Sequence, residues 1–359
     1  MKRKRILVAP LDWGLGHATR CIPIIRELIK QGAEVIIGSS GRPLQILKEE
    51  FPNNEFCEIL GYNMHYQRGG SFALAIIPQI PKLIRAGFYE HKKLKQLVRD
   101  LKIDGVISDN RFGLFHSGVP CVFMTHQVGI IMPPVFKWAE RGIYKLNYRI
   151  MSRYNECWIP DHAGEKNLSG VLSHKYRMPA HSIFIGPLSR FHITDGLEMK
   201  YDLLVVLSGP EPQRTILEQK IISQLKSFSF HTLIIRGTPG EKNIFSVSQN
   251  IEIKNHLTAD ELNKAMLQSK MIVSRSGYST IMDLAATGRK AILIPTPGQT
   301  EQEYLGKYFY EKKIFYSVSQ SDFDLQKALI DSQNFTGLQL KNNSHTLSRT
   351  IKNFLEKIK

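Results

Sequence analysis

The sequence has few cysteines and no long apolar run, and each shortage excludes a class of protein. Its four cysteines are widely spaced among 359 residues and form no CxxC pair, so neither a zinc site nor a disulfide framework is indicated. The apolar runs are of strand length, far below the ~18 residues of a membrane-spanning helix. The basic start, Met1 to Arg5, leads into Ile6 to Ala9, which is too short for the core of a signal peptide. We therefore expect a cytoplasmic protein.

The sequence also lacks the motifs of several common enzyme classes. It contains no P-loop, no H-E-x-x-H and no G-x-S-x-G. These absences favour a mechanism without a metal, and nothing in the chain indicates a bound cofactor.

Acidic residues are scarce relative to basic ones: 32 Asp and Glu against 48 Lys and Arg give a net charge of +16. Part of the excess lies in two stretches, Tyr62 to Asp100 and Ile130 to Tyr154. The second spaces its basic residues four apart, at Lys137, Arg141, Lys145, Arg149 and Arg153. Each stretch alone is explained by a solvated helical face. Together, with apolar and aromatic residues between the charges, they favour an anionic membrane surface as a partner. No nucleic-acid-binding module accompanies them, so we expect no nucleic-acid partner.

Continuous apolar runs alternate with helical periods along the whole chain, which predicts an α/β fold with parallel, doubly wound sheets. The pattern is interrupted near residues 187–200. We therefore predict two Rossmann-like domains that face each other across a cleft, residues 1–190 and 191–359, with the last helix packing back on the first domain. Ligands are expected at the carboxyl ends of the strands.

The first strand leads into a glycine turn followed by a histidine. Gly14 and Gly16 allow backbone N–H groups to approach an anion. Thr19 stands where the dinucleotide fingerprint has its third glycine, so NAD is not indicated. We predict that His17, at the tip of this loop, contacts substrate or transfers a proton, with Asp12 as its rival for the role of base.

Two more strand exits in the first half carry polar residues. Asp109 follows the run from Asp104 to Ser108, and His126 follows the run from Val119 to Met124. Both are expected at the same sheet edge as His17. The alternatives are a helix cap for Asp109 and loop packing for His126.

The most informative stretch lies in the second half, from Ser274 to Gly288. A short apolar run ends at the turn Ser276-Gly277, and Ser279 or Thr280 is predicted to cap the following helix. Asp283 is expected near the first turn of that helix, where its carboxylate can accept hydroxyl hydrogen bonds. Gln302 and Glu303 open the next helix, and an earlier turn and its surroundings supply possible diphosphate ligands: Ser208, Gly209 and Arg190.

This second-half pattern resembles the GT-B glycosyltransferases, and within them family 28, which includes bacterial N-acetylglucosaminyltransferases acting on lipid I. The matching block is Arg275-Ser-Gly-x-x-Thr280-x-x-Asp283-x-Ala-Ala-x-Gly288, followed by Pro295 and Gln302-Glu303-Tyr304. The resemblance implies that these residues bind a nucleotide sugar.

The resemblance also assigns individual roles. The family has Glu at Asp283, where the acid holds the ribose hydroxyls, and a Gln pair at Gln302-Glu303, which contacts the donor sugar. Glu303 therefore argues against N-acetylglucosamine as the sugar. The segment Asn255-His256-Leu257 corresponds to the backbone that pairs with uracil, and the loop around Gly16 looks like the family's acceptor-side loop.

The sequence thus predicts a metal-independent, inverting transferase that moves a sugar from UDP to a lipid-linked or anionic glycan, at the inner face of the membrane. A non-hydrolysing UDP-sugar 2-epimerase shares the architecture and stays open. So does a non-catalytic protein that binds sugar nucleotides, for which His17, Asp12 and Asp109 would be dispensable.

Overall fold

The computed structural model describes residues 3–62, 79–238, 245–340 and 344–358. These residues divide into two compact units. The first holds residues 3–62, 79–188 and 344–358, and the second holds residues 189–238 and 245–340. In the part of the chain described, no helix is long and apolar enough to cross a membrane.

The first unit contains a seven-stranded, fully parallel sheet in the order β3-β2-β1-β4-β5-β6-β7. Its strands are β1 (Arg5–Pro10), β2 (Glu34–Ser39), β3 (Glu55–Glu58), β4 (Gly105–Asp109), β5 (Cys121–Met124), β6 (Glu156–Ile159) and β7 (Ser182–Phe184). Its helices are α1 (Leu15–Lys30), α2 (Gly41–Glu50), α3 (Ile80–Asp100), α4 (Glu140–Met151, after a 3-10 helix at Pro134–Ala139) and α5 (Val171–His174). Strands β1, β2, β4, β5 and β6 are largely buried, as their apolar composition predicts, whereas no residue of the edge strand β3 is buried.

The second unit repeats this plan with the order β10-β11-β9-β8-β12-β13-β14, in which β10 and β11 are antiparallel and every other pair is parallel. Its strands are β8 (Tyr201–Val206), β9 (Thr232–Ile235), β10 (Phe245–Ser248), β11 (Ile251–Lys254), β12 (Ser269–Ser274), β13 (Ala291–Leu293) and β14 (Tyr316–Ser317). Its helices are α6 (Gln213–Leu225), α7 (Ala259–Leu267), α8 (Tyr278–Thr287), α9 (Thr300–Glu311) and α10 (Leu325–Asp331).

The last helix, α11 (Ser344–Glu356), packs on the first unit. The Phe354 ring lies 5.7 Å from the Trp158 ring in an edge-on arrangement. Lys357 pairs with Glu156 at 2.6 Å. A Cβ atom on Gly105 would come within 3.0 Å of Phe354, so the helix rests directly on strand β4.

A buried ion pair holds α3 against the sheet of the first unit. Glu90 and Arg111 are both fully buried, and their side chains meet at 2.9 Å. Arg111 also donates to three backbone carbonyl groups, those of Pro10, Ile59 and Leu60. Glu90 also accepts hydrogen bonds from the Tyr62 hydroxyl at 3.0 Å and the Gly113 N–H at 3.0 Å. Removing either charge would leave the other buried without a partner.

We expect Glu90→Ala to lower the free energy of unfolding by about 3–5 kcal/mol, because it strands the Arg111 charge in the core. The change is measured by urea denaturation followed by tryptophan fluorescence, since all three tryptophans lie in the first unit. Glu34→Ala is the matched control, because Glu34 pairs with Arg5 at the surface and its loss should cost less than about 1 kcal/mol. Equal effects of the two substitutions would contradict this account.

Candidate functional site

The polar residues of the first unit meet where β1, β4 and β5 end. Asp109 is the last residue of β4 and pairs in register with Pro10 of β1. Gly14 precedes α1 with a φ of 86°, a conformation that suits glycine. The expected loop tip at His17 is wrong: α1 begins at Leu15, so Gly16 and His17 lie in its first turn. Helical geometry therefore sets the direction of the His17 side chain.

Four side chains form one cluster at this edge. His17 Nδ1 lies 3.0 Å from Asp109 Oδ2. Arg20 Nε donates to the same oxygen at 2.8 Å, and Arg20 Nη2 donates to Asp109 Oδ1. Arg20 Nη1 lies 2.8 Å from His126 Nδ1. The structure thus brings together His17, Asp109 and His126, as predicted, through an arginine to which the sequence analysis gave no role.

Burial and neighbouring charges set the protonation states of this cluster. Burial lowers the pKa of His17, and the adjacent Arg20 guanidinium lowers it further, while Asp109 opposes both. Burial alone would raise the pKa of Asp109, but Arg20 and His17 outweigh it and hold the pKa below its usual range. At neutral pH the cluster therefore contains an ionised Asp109 beside an uncharged His17.

Asp12 is engaged elsewhere. Its Oδ1 accepts a hydrogen bond from the Tyr62 N–H at 3.3 Å. A Cβ atom on Gly61 would lie only 1.4 Å from Asp12 Oδ2, so the carboxyl group packs directly against the backbone there. Asp12 thus anchors the segment that follows β3.

In the second unit, Asp283 lies in the second turn of α8 and not in the first. Ser189 Oγ donates to Asp283 Oδ1 at 2.6 Å. Burial raises the pKa of Asp283 to about 6, although the nearby Arg190 charge and the Ser189 hydrogen bond both act to lower it. The Arg190 charge, which the sequence analysis had placed near the diphosphate, therefore lies close enough to Asp283 to act on its pKa.

The start of α8 differs from the prediction in its cap. The N-cap residue is Gly277, without a side-chain cap, and Thr280 lies half-buried in the first turn. Ser276 is buried and donates from Oγ to the Gln302 carbonyl group at 2.7 Å. This bond ties the exit of β12 to the first turn of α9.

Gln302 and Glu303 shape the loop that follows β13. Gln302 Oε1 accepts from the Thr296 N–H at 2.9 Å, and Glu303 Oε1 accepts from the Gly298 N–H at 2.8 Å. Glu303 also lines an open cavity of about 840 Å³ between α6 and α9. Both side chains thus close a compact loop at the edge where Ser276 lies.

A buried arginine supports the turn after β8. Arg275 is 1% exposed and donates to the carbonyl groups of Gln213, Ile294 and Pro295. It makes no ion pair with any residue the structure describes, and burial lowers its pKa to about 10. Gly209 has a φ of 101°, and a Cβ atom there would lie 4.0 Å from Arg275 Nε. A fixed positive charge therefore stands behind the Ser208-Gly209 turn.

The remaining predicted residues lie at the exit of β11. His256 is half-buried and Leu257 is buried, just before α7. Thr258 caps α7 in a reciprocal capping box with Glu261, which fixes the point where this segment enters the helix.

Sequence reasoning missed the roles of Arg20 and Arg275. The signal for Arg20 was its position three residues after His17, because such residues share one helix face. The signal for Arg275 was its position directly after a buried apolar strand, because burying a charge costs free energy unless the group is paired or hydrogen-bonded. Among the residues described, no three His, Cys, Asp or Glu side chains are grouped so as to hold a metal ion.

Comparisons with known proteins agree with this architecture. Residues 204–358 match the glycosyltransferase family 28 C-terminal domain. The UDP-N-acetylglucosamine--N-acetylmuramyl-(pentapeptide) pyrophosphoryl-undecaprenol N-acetylglucosamine transferase of Listeria welshimeri is 24% identical over 300 residues, which are 79% of this chain and 76% of that protein. An uncharacterized glycosyltransferase of Methanosarcina acetivorans is 23% identical over 327 residues, 83% of this chain and 81% of that protein.

Among solved structures, MurG of Acinetobacter baumannii superposes with a TM-score of 0.52 at 12% identity, covering 100% of this chain and 96% of that one. The likeness confirms the predicted fold class: two doubly wound, Rossmann-like sheets of the GT-B architecture.

Proposed function

We propose that this chain is a glycosyltransferase of family 28 with the GT-B fold, and that it transfers a sugar from a UDP-sugar to a lipid-linked or anionic glycan acceptor. The second unit would hold the donor and the first unit would activate the acceptor. The observation that carries the proposal is the His17–Asp109 pair at one sheet edge. In this pair His17 would be the base that deprotonates an acceptor hydroxyl.

The donor part rests on the edge of the second sheet. Asp283 would accept hydrogen bonds from the ribose hydroxyls, and the rigid backbone at His256 and Leu257 would pair with the base. The diphosphate would lie at Ser208-Gly209, in front of the Arg275 charge. The relatives whose names state a substrate use UDP-N-acetylglucosamine, which favours a uridine nucleotide as the donor.

The proposed transfer needs a base for the acceptor and positive groups near the leaving diphosphate. Deprotonation by His17 makes the acceptor oxygen a nucleophile, and its attack on the anomeric carbon expels the diphosphate with inversion. Negative charge then grows on the diphosphate. The α8 N-terminus and the buried guanidinium would stabilise that charge without a metal ion or a cofactor.

The acceptor part rests on the outer face of α3 and α4. Both helices pack on one face of the first sheet, through Leu94, Leu97 and Met151. Large apolar side chains stand exposed on the outer side: Phe88 is 74% exposed, and Trp138 is 80% exposed. Basic residues are exposed along the same segments, from α3 and from the 3-10 helix through α4 to the residues just after it: Lys82, Arg85, Lys92, Lys95, Arg99, Lys137, Arg141, Lys145, Arg149 and Arg153. Arg68 of the predicted basic stretch lies outside the described residues. We propose that this face binds the anionic cytoplasmic leaflet, where a lipid-linked acceptor would be found.

Vesicle flotation tests the membrane contact. The protein should float with phosphatidylcholine vesicles that contain phosphatidylserine, and less so at higher salt, because about 1 kcal/mol per basic residue is electrostatic. Trp138→Asp should lose most of this binding. Ile330→Asp is the matched control, because Ile330 is 58% exposed on the second unit. Equal flotation of both variants would refute the proposed surface.

A thermal-shift screen tests the donor. UDP and a UDP-sugar should raise the melting temperature more than GDP and TDP do, without added metal, since a ligand at a hundred times its Kd stabilises by about 2.7 kcal/mol. UDP release is then followed with and without a total lipid extract as the acceptor source. Lipid-dependent release supports a transferase. Sugar isomerisation without lipid would indicate an epimerase, binding without either reaction would indicate a non-catalytic protein, and no selective shift would overturn the proposal.

A further inference from the structure

Arg20 occupies the centre of the cluster in the first unit. It lies one turn after His17 on α1 and is 2% exposed. Its guanidinium reaches Asp109 with two nitrogens, and a third contact joins it to His126. Its Nη2 also lies 2.9 Å from His17 Nδ1. One buried side chain therefore touches both histidines and the carboxylate between them.

The contact between Arg20 and His126 determines which ring nitrogen of His126 carries the proton. A guanidinium group donates hydrogen bonds and never accepts them. His126 Nδ1, 2.8 Å from Arg20 Nη1, must therefore be the acceptor and carry no proton. A neutral imidazole then keeps its proton on Nε2. His126 is thereby an N–H donor at Nε2 and cannot serve there as a base.

The contacts of His17 favour the opposite tautomer. Its Nδ1 faces both the Asp109 carboxylate at 3.0 Å and Arg20 Nη2 at 2.9 Å, and only one of these contacts can be a hydrogen bond from a single ring nitrogen. An ionised carboxylate can only accept, and a bond to it is the stronger of the two. Arg20 Nη2 already donates to Asp109 Oδ1. The proton of His17 therefore lies on Nδ1, which leaves a lone pair on Nε2.

We infer that Arg20 is a positioning residue that imposes opposite tautomers on the two histidines, so that His17 alone presents an unprotonated Nε2. The inference rests on the proposed function only in giving that nitrogen the role of base toward the acceptor. Arg20 does so in two ways: its planar fork occupies Nδ1 of His126 and orients Asp109, and its charge disfavours a second proton on His17. Among the residues that the structure describes, the charged or titratable groups that act on His17 are Arg20, Asp109 and His126.

The test is nitrogen-15 NMR of the histidine side chains in the full chain without any ligand, because ring-nitrogen shifts distinguish protonated from unprotonated nitrogen. The chain has twelve histidines, so His17→Gln and His126→Gln variants assign the two signals. At pH 7.5 we expect His17 protonated at Nδ1 and His126 protonated at Nε2. Equal tautomers on the two rings of the unmodified protein would overturn the inference.

Two substitutions of Arg20 separate the effect of its planar set of N–H donors from the effect of its positive charge. Arg20→Met should shift His126 to a mixture of tautomers and raise the titration midpoint of His17. Arg20→Lys keeps the charge without the fork, so it should restore the His17 midpoint but not the His126 tautomer. Arg26→Met, at an exposed site of the same helix, should change neither the tautomers of the two histidines nor the titration midpoint of His17. If a folded Arg20→Met protein kept the same His126 tautomer and the same His17 titration midpoint, the inference would also be overturned. If the tautomers are as expected but no transfer is found, the proposed function fails and this inference stands.

Discussion

Replacing His17 with alanine is expected to lower kcat by about 10²–10⁴-fold, the usual contribution of a general base. The affinity for the UDP-sugar should stay unchanged, because the proposed donor residues lie on the second unit and His17 lies on the first. The two effects are separated by measuring lipid-dependent UDP release for kcat and the thermal shift for donor binding.

The pH profile sharpens this prediction. Burial and Arg20 lower the pKa of His17 below 6.5. We therefore expect kcat/KM to decrease with falling pH only below pH 6.5, where His17 becomes protonated, and to be independent of this group at higher pH. Asp109→Asn should lose activity to a similar extent, because an amide group can donate to His17 Nδ1 and so disfavour the productive tautomer. Asp12→Asn is the comparison, since Asp12 is engaged with the backbone near Tyr62. If Asp12→Asn abolished transfer while His17→Ala did not, the base would be misassigned.

Replacing Asp283 with alanine is expected to weaken donor binding by roughly 10–150-fold, which corresponds to about 1.5–3 kcal/mol for hydrogen bonds to a charged group. At a UDP-sugar concentration a hundred times the Kd of the unmodified protein, the stabilisation should then fall from about 2.7 kcal/mol to about 0.3–1.4 kcal/mol, with a correspondingly smaller thermal shift. Asp324→Ala is the matched control: Asp324 caps α10 in the same unit, so its loss should lower stability without changing nucleotide affinity.

Asp283 also predicts opposite pH trends for binding and for stability. Its pKa of about 6 lies above the unfolded value, so the ligand-free protein should lose stability as pH rises from about 4 to about 6. Ribose hydroxyls donate to the ionised carboxylate, so affinity for a UDP-sugar should increase over the same range. A UDP-sugar is the right probe because its diphosphate is a diester and does not titrate there. An affinity that does not change with pH, or that changes equally in Asp283→Asn, would contradict the ribose contact.

The parallel strands were predictable because strands buried on both faces are continuously apolar, and β1, β4, β5, β8 and β12 all read in this way. The edge strands β3, β10 and β14 were missed. They have only two to four residues, and no residue of β3 is fully buried. The start of α1 was placed too late because Gly14 and Gly16 suggested a loop, although only Gly14 has the positive φ that requires glycine.

By itself, the sequence determined two doubly wound sheets and which polar residues end their strands, because burial dictates apolar periodicity and parallel strands bring their carboxyl ends to one edge. Only the tertiary structure decided which of those residues touch. His17 and Asp109 are separated by 92 residues and meet because β4 lies beside β1, an order that periodicity does not encode. The same strand order turned Asp12 toward Tyr62 and placed Arg20 between two histidines, since a side chain's partners depend on neighbours that are distant in the chain.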